Sequence, residues 1–200
     1  MAIKFQYNKT SLQALEKQLK IRVRALPTIK NKESALRVEV KNAKDEMNRL
    51  DSELQSKMKL YDNMVALWGE FDTSLISIED VHLSVKKIAG VKTPVLDGID
   101  FNIKPFSVFN APKWYLDGIS IIKKMVEVAI EREFFMRKMK LLDHARKKTT
   151  QKVNLFEKVQ IPGYEDAIRK IKRFMEDEDN LSKSAQKIVK TRQQQMEAQQ

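Results

Sequence analysis

Between Asn8 and Trp68 the chain carries no glycine and a single proline, Pro27, while apolar or small residues recur at steps of mainly three and four. The series runs through Leu12, Leu15, Leu19, Leu26, Ile29, Leu36, Val40, Ala43, Met47 and Leu50 and continues through Val65 to Trp68. Such spacing places one apolar stripe along a helix and is the seam of a coiled coil. Thr10 or Ser11 is expected to cap its start. At 1.5 Å per residue the helix is about 90 Å long, and its stripe needs a partner of similar length.

A second periodic run supplies one. From Trp114 the helical period returns at Leu116, Ile119, Ile122, Val126 and Ile130, and continues into Lys147–Lys190, where Val153, Phe156, Ile168, Ile171 and Met175 keep the three-and-four spacing. The helix is expected to run from Trp114 to Gln195, with its last residues frayed for want of an apolar stripe. Pro162-Gly163 interrupts it, since proline has no amide donor and its ring clashes with the preceding turn, at a cost of about 3 kcal/mol. Pro27 lies 43 residues before position 70 and Pro162 lies 46 after position 116, so both fall at nearly the same height along a folded-back pair. The coiled coil is therefore predicted to bend or unwind there.

Between the helices the composition changes. Gly90, Pro94, Gly98, Pro105, Pro112 and Gly118 are six of the ten glycines and prolines in the chain. Val81–Val85 alternates as a half-buried strand does, and Val95–Ile103 reads as its partner across a turn region at Gly90–Pro94. A lone hairpin is marginal in water, so it should lean on the helices or on another protein chain. The expected organisation is a long helix over 1–70, a central hairpin module over 71–113 and a second long helix over 114–200. In fold class the chain is mainly α, a long antiparallel two-helix coiled coil with a small central β-hairpin or irregular tip.

Charge and composition narrow the function classes. With no cysteine, disulfides, thiolate metal sites and thiol catalysis are excluded, and the cytoplasm is the natural compartment. No run approaches the ~18 apolar residues of a membrane span. A net charge of +11 suits nucleic acid, an anionic membrane surface or an acidic protein partner. The basic runs lack interleaved aromatics for base stacking, which weighs against nucleic acid. The sequence contains neither GxxxxGK[ST] nor GxGxxG, the usual phosphate cradles, and no cofactor is expected.

Three groupings invite a chemical reading, and each has a plainer one. Asp80, His82 and Ser84 share a strand face by period two, but neighbours on that face stand about 6.6 Å apart, too far for a direct relay. A polar strand face is the expectation. His144 stands alone in a basic helical run, and two histidines without cysteines make a poor metal site. The acidic run Glu176–Asp179 lacks the glycine turn and spaced ligands of a calcium loop, and reads as solvated helix. No catalytic or metal-ligating residue is assigned.

KKTTQKVNLFEKVQIPG from Lys147 to Gly163, followed by IRKIKRFMEDED from Ile168 to Asp179, resembles the C-terminal helix of the D subunit, the central rotor stalk of the V-type and A-type ATPases. LQALEKQL (Leu12–Leu19) after Lys9-Thr10, and ALPTIKNKESAL (Ala25–Leu36), resemble that family's N-terminal helix. Together these cover about half the chain. It departs from the family pattern at Gln151-Lys152, where two arginines are usual, at Glu176–Asp179, where glutamate and arginine alternate, and at Pro27, where many members have a good helix former.

The resemblance implies a non-catalytic shaft whose termini project into a hexamer of alternating catalytic and regulatory subunits, A and B, and whose hairpin end points toward the membrane-embedded ring. Such a protein is cytoplasmic and peripheral to the membrane. On this reading Arg22, Arg24, Lys30, Lys32, Arg169 and Arg173 are the candidates for contact with acidic loops of the hexamer. Trp68, Phe71 and Trp114 are assigned first to packing the central module, and second to docking the companion stalk protein, the F subunit, or the ring-coupling subunit, C or d. The alternative from another class is a basic coiled-coil adaptor for a membrane surface or nucleic acid.

Overall fold

The computed structural model describes residues 3–62, 68–107 and 112–197. Helix α1 spans Lys9–Tyr61, strands β1 and β2 span Ile76–Ile88 and Val91–Ile103, and helix α2 spans Tyr115–Leu155. A five-residue π-turn, Phe156–Gln160, joins α2 to α3, Ile161–Glu197. This is the mainly α fold expected, with two long helical runs and one antiparallel hairpin. The seam positions Val65 and Trp68 were expected to extend the first helix; Val65 lies outside the described residues.

Packing divides the chain into two compact units, residues 1–31 with 149–200, and residues 32–148. In the first, Leu15 of α1 is buried with Ala167, Ile168 and Ile171 of α3. Lys172 reaches Glu16 at 3.0 Å and Lys30 reaches Glu157 at 2.7 Å, so the two segments run antiparallel. An extended N-terminal segment also packs on this core through Ile3 and Phe5, and Tyr7 meets the Phe174 ring at 4.8 Å. The α1 cap is Asn8 rather than Thr10 or Ser11: its Oδ1 accepts from the Ser11 amide at 2.7 Å, satisfying an orphan donor of the first turn. Ser11 instead accepts from the Gln6 amide through Oγ.

In the second unit Leu36, Ala43 and Leu50 of α1 recur at sevens and are at most 3% exposed, as one coiled-coil position should be. They are matched by buried Val128 and Leu142 of α2. Arg132 pairs with Asp51 across the two helices. From Val126 to Met136 every residue of α2 is at least half-buried, because the hairpin covers the side that α1 leaves open. Ile78, Val81 and Leu83 of β1 and Leu96 of β2 face Val126, Ile130 and Phe134 there.

Both strands are longer than the alternation suggested. Their turn is only Ala89-Gly90, with φ of 48° and 78°, positive at both central residues as the twist of a tight hairpin requires. Pro94, expected in the turn, lies within β2 opposite Val85. Counting outward from the two-residue turn, Val85 and Pro94 form a non-hydrogen-bonded pair, so the missing N–H faces away from the ladder and costs it nothing.

Candidate partner-binding surfaces

The six basic residues singled out in sequence have unlike surroundings. Arg22 is half-buried and engaged within its own unit. Its Nε donates to Gln160 Oε1 at 2.7 Å, its Nη1 donates to Gln18 Oε1 at 2.6 Å, and its guanidinium lies 4.6 Å from the Tyr164 ring centroid. Lys30 is exposed and paired with Glu157. Arg24, Arg169 and Arg173 are exposed, and among the described residues they form no ion pair with a carboxylate. Arg169 and Arg173 follow Asp166 on α3, and its carboxyl is held below the usual range first by its hydrogen bond from Lys170 and then by nearby positive charge, that of Lys170 followed by these two arginines. Lys32 is exposed in the second unit, its Nζ 3.4 Å from where a Cβ on Gly90 would stand.

Sequence reasoning treats Arg22 as a surface charge. A signal against that is present: Arg22 stands seven residues after Leu15 and seven before Ile29, which is a seam position. An arginine there aims at the partner helix.

Trp68, Phe71 and Trp114 come together. Each pair of ring centroids is 5.8 to 6.0 Å apart, within the range where edge-to-face and tilted aromatic pairs attract. Tyr115 extends the cluster, 5.3 Å from Phe71, and its hydroxyl donates to the Glu70 carbonyl at 2.6 Å. Phe71 is buried, while Trp68 and Trp114 are half-buried and remain partly open to solvent. Gly118 makes this possible: a Cβ there would stand 3.0 Å from Trp114 Cζ3. No periodicity argument points to Gly118.

On the hairpin, Asp80, His82 and Ser84 form no relay along one strand: Asp80 stands 3.6 Å from His82 Nδ1, and the shorter contacts run across the ladder. His82 Nε2 binds Asp100 across the ladder at 2.7 Å, and Ser84 Oγ donates to Asp97 at 3.1 Å. Bulges between Ile78 and Asp80 and between His82 and Leu83 shift the register and bring Asp97 and Asp100 to this face. His144 is exposed on α2, and Glu176–Asp179 is exposed throughout on α3. Among the described residues no helix is long and apolar enough to cross a membrane.

Residues 11–191 match the family model of the ATP synthase D subunit. The V-type ATP synthase D subunit of Borreliella burgdorferi is 29% identical over 191 residues, 94% of each chain. That of Chlamydia muridarum is 26% identical over 200 residues, 98% of each, and that of Chlamydia pneumoniae is 27% identical over 186 residues, 88% of this chain and 87% of its own. The match takes in both helical runs and the hairpin between them, and the chain belongs to the family of the ATP synthase D subunit.

Proposed function

We propose that this chain is the central rotor shaft of a V-type or A-type ATPase, a non-catalytic subunit carrying torque between the ATP-hydrolysing or ATP-synthesising hexamer and the membrane ion-translocating ring. The observation that carries the reading is the family match across residues 11–191, which spans both helices and the hairpin as one unit of descent. Physical demands on an axle agree with it. Torque must be borne by a seam that does not slip, and Leu36, Leu50, Leu142 and Ile171 are at most 1% exposed, at the close-packed density that resists deformation.

The outer surface of a turning shaft must slide without locking, so separated charges suit it better than a large apolar patch. Arg24, Lys32, Arg169 and Arg173 present such charges, and we assign them to acidic loops of the A and B subunits. Arg22 and Lys30 are engaged within the chain, and their contribution to the hexamer contact is secondary. The half-exposed Trp68 and Trp114 are assigned to the companion F subunit of the stalk or to the ring-coupling subunit, after their first role of packing around Phe71. The complex would be membrane-bound with this chain on its cytoplasmic side.

The test is binding. The chain should form a one-to-one complex with the A and B hexamer, and Arg169→Glu with Arg173→Glu should weaken it about tenfold at low salt, with the difference shrinking as salt rises. Binding to anionic vesicles or duplex without any binding to the hexamer would favour the adaptor reading instead.

A further inference from the structure

The winding of the C-terminal helical run changes at Phe156–Gln160, where the Ile161 amide reaches back to the Phe156 carbonyl, five residues away. Pro162 gives the reason. It has no amide to donate, and its ring would press on the carbonyl four residues earlier, that of Lys158. A wider π-turn moves that carbonyl aside. The seam shows the same surplus. Val153, Phe156, Gln160, Tyr164, Ile168, Ile171 and Met175 are buried or half-buried positions of this run. They take six seam steps over 22 residues, one residue more than three heptads. A surplus of this kind unwinds a coiled coil locally.

Opposite the surplus stands Pro27, bracketed on α1 by Arg22 and Lys30, and both of these reach the π-turn. Arg22 Nε holds Gln160 at its C-terminal end, and Lys30 holds Glu157 near its N-terminal end. The Arg22 guanidinium also lies 4.6 Å from the Tyr164 ring and 5.9 Å from the Phe156 ring, one beyond the turn and one at its start. Gln18 fixes the guanidinium from its other side through both its side-chain and backbone oxygens. A seam position that would ordinarily hold a leucine thus holds a fork that grips the turn from its start to just past its end.

We propose that Phe156–Gln160 is a winding joint in the C-terminal helix, and that Arg22 is the positioning residue that latches it. With the latch closed the turn is held in one winding; with it open the turn can rewind locally beside Pro162 and swing the intact helix beyond it. α1 stays continuous helix through Pro27, so the joint is one-sided and α1 is the rail against which it works. The proposal concerns the isolated full chain and does not depend on the rotor reading.

Hydrogen exchange on the full chain, resolved by peptide, tests it with Arg22→Ala, deletion of Lys158 made together with Pro162→Ala, and all three together. Deleting one residue restores three heptads and Pro162→Ala removes the ring that forces the wider turn, so the segment should become ordinary α-helix, with the flanking seam residues keeping their faces. Arg22→Ala should speed exchange over 158–164 by at least about tenfold while 168–175 changes by less than about twofold. In the Lys158 deletion with Pro162→Ala this local effect of Arg22→Ala should vanish. An equal acceleration in that background and in the parent, or one spread evenly over both segments, would make Arg22 an ordinary packing residue and overturn the proposal. Should Arg22→Ala fail to fold, Gln160→Met removes only the acceptor of the Arg22 Nε bond; it should speed exchange in the same peptide, and no change there would equally overturn it.

Discussion

His82 and Asp100 meet across the hairpin with Nε2 and Oδ2 2.7 Å apart, while Asp80 approaches the other ring nitrogen at 3.6 Å. His82 lies opposite Gly98 in the register, its Cδ2 3.8 Å from where a Cβ there would stand. The hydrogen bond to Asp100 raises the His82 pKa above its ordinary value, with the charges of Asp100, Asp80 and Asp97 adding to it. The protonated ring is thus favoured in the folded hairpin.

A group whose pKa is raised on folding stabilises the fold fully below its unfolded pKa, about 6.5 for histidine, and loses that contribution as pH climbs through the folded value. The hairpin should therefore be tighter at about pH 6 than at about pH 9. An NMR titration of His82 should give a midpoint above that of a free histidine in the native chain, and a lower one in Asp100→Asn. Identical midpoints in the two chains would show that the pair does not form.

Ala89 occupies a left-handed conformation at φ 48° that disfavours most residues with a Cβ. Asn and Gly tolerate it, and Asn-Gly is the preferred pair for this turn. Ala89→Asn should stabilise the hairpin by about 1 kcal/mol, read as slower hydrogen exchange in Lys86–Thr93. Gly90→Ala, at φ 78°, should do the reverse. Faster exchange in Ala89→Asn would mean that another turn is adopted.

Leu36, Leu50 and Leu142 fill the seam of the second unit with 1% exposure or less, and truncating any of them to alanine should cost about 2–5 kcal/mol in urea unfolding. Leu181 is apolar too but 72% exposed on α3, and Leu181→Ala should stay within about 0.5 kcal/mol of the parent. A comparable loss at both kinds of site would contradict the assignment of the seam.

Gly118→Val would drive its side chain into the Trp114 ring, already 3.0 Å from a bare Cβ. The cost should be about 1–3 kcal/mol, as for other overpacked sites. It should come with loss of the near-ultraviolet circular dichroism contributed by Trp68 and Trp114. An unchanged spectrum would show that the aromatic cluster yields without cost.

The seam is readable because periodicity is one-dimensional: Leu36, Ala43 and Leu50 announce their shared face by sevens alone. The hairpin is readable in outline, but in sequence its strands look short and its turn too wide, because Pro94 reads as a breaker until its register pair is known. The same holds for Asp80, His82 and Ser84, since the partners Asp97 and Asp100 depend on two bulges that no alternation rule places. The levels of Pro27 and Pro162 can be matched from sequence, yet only the structure shows that α1 continues and the partner run winds to π. Arg22 misleads when its charge is weighed before its heptad position. Ile3, Phe5 and Tyr7 escape notice because a short extended segment has too few residues to show a period.

A rotor shaft must couple to ATP hydrolysis. Sustained ATPase turnover of the reconstituted A and B hexamer should be compared with and without this chain, the companion F subunit being supplied in both cases. A shaft inside the ring should bind one-to-one and change sustained turnover, because one asymmetric axle biases each catalytic site differently. A chain that neither binds the hexamer nor alters its turnover would contradict the rotor reading outright.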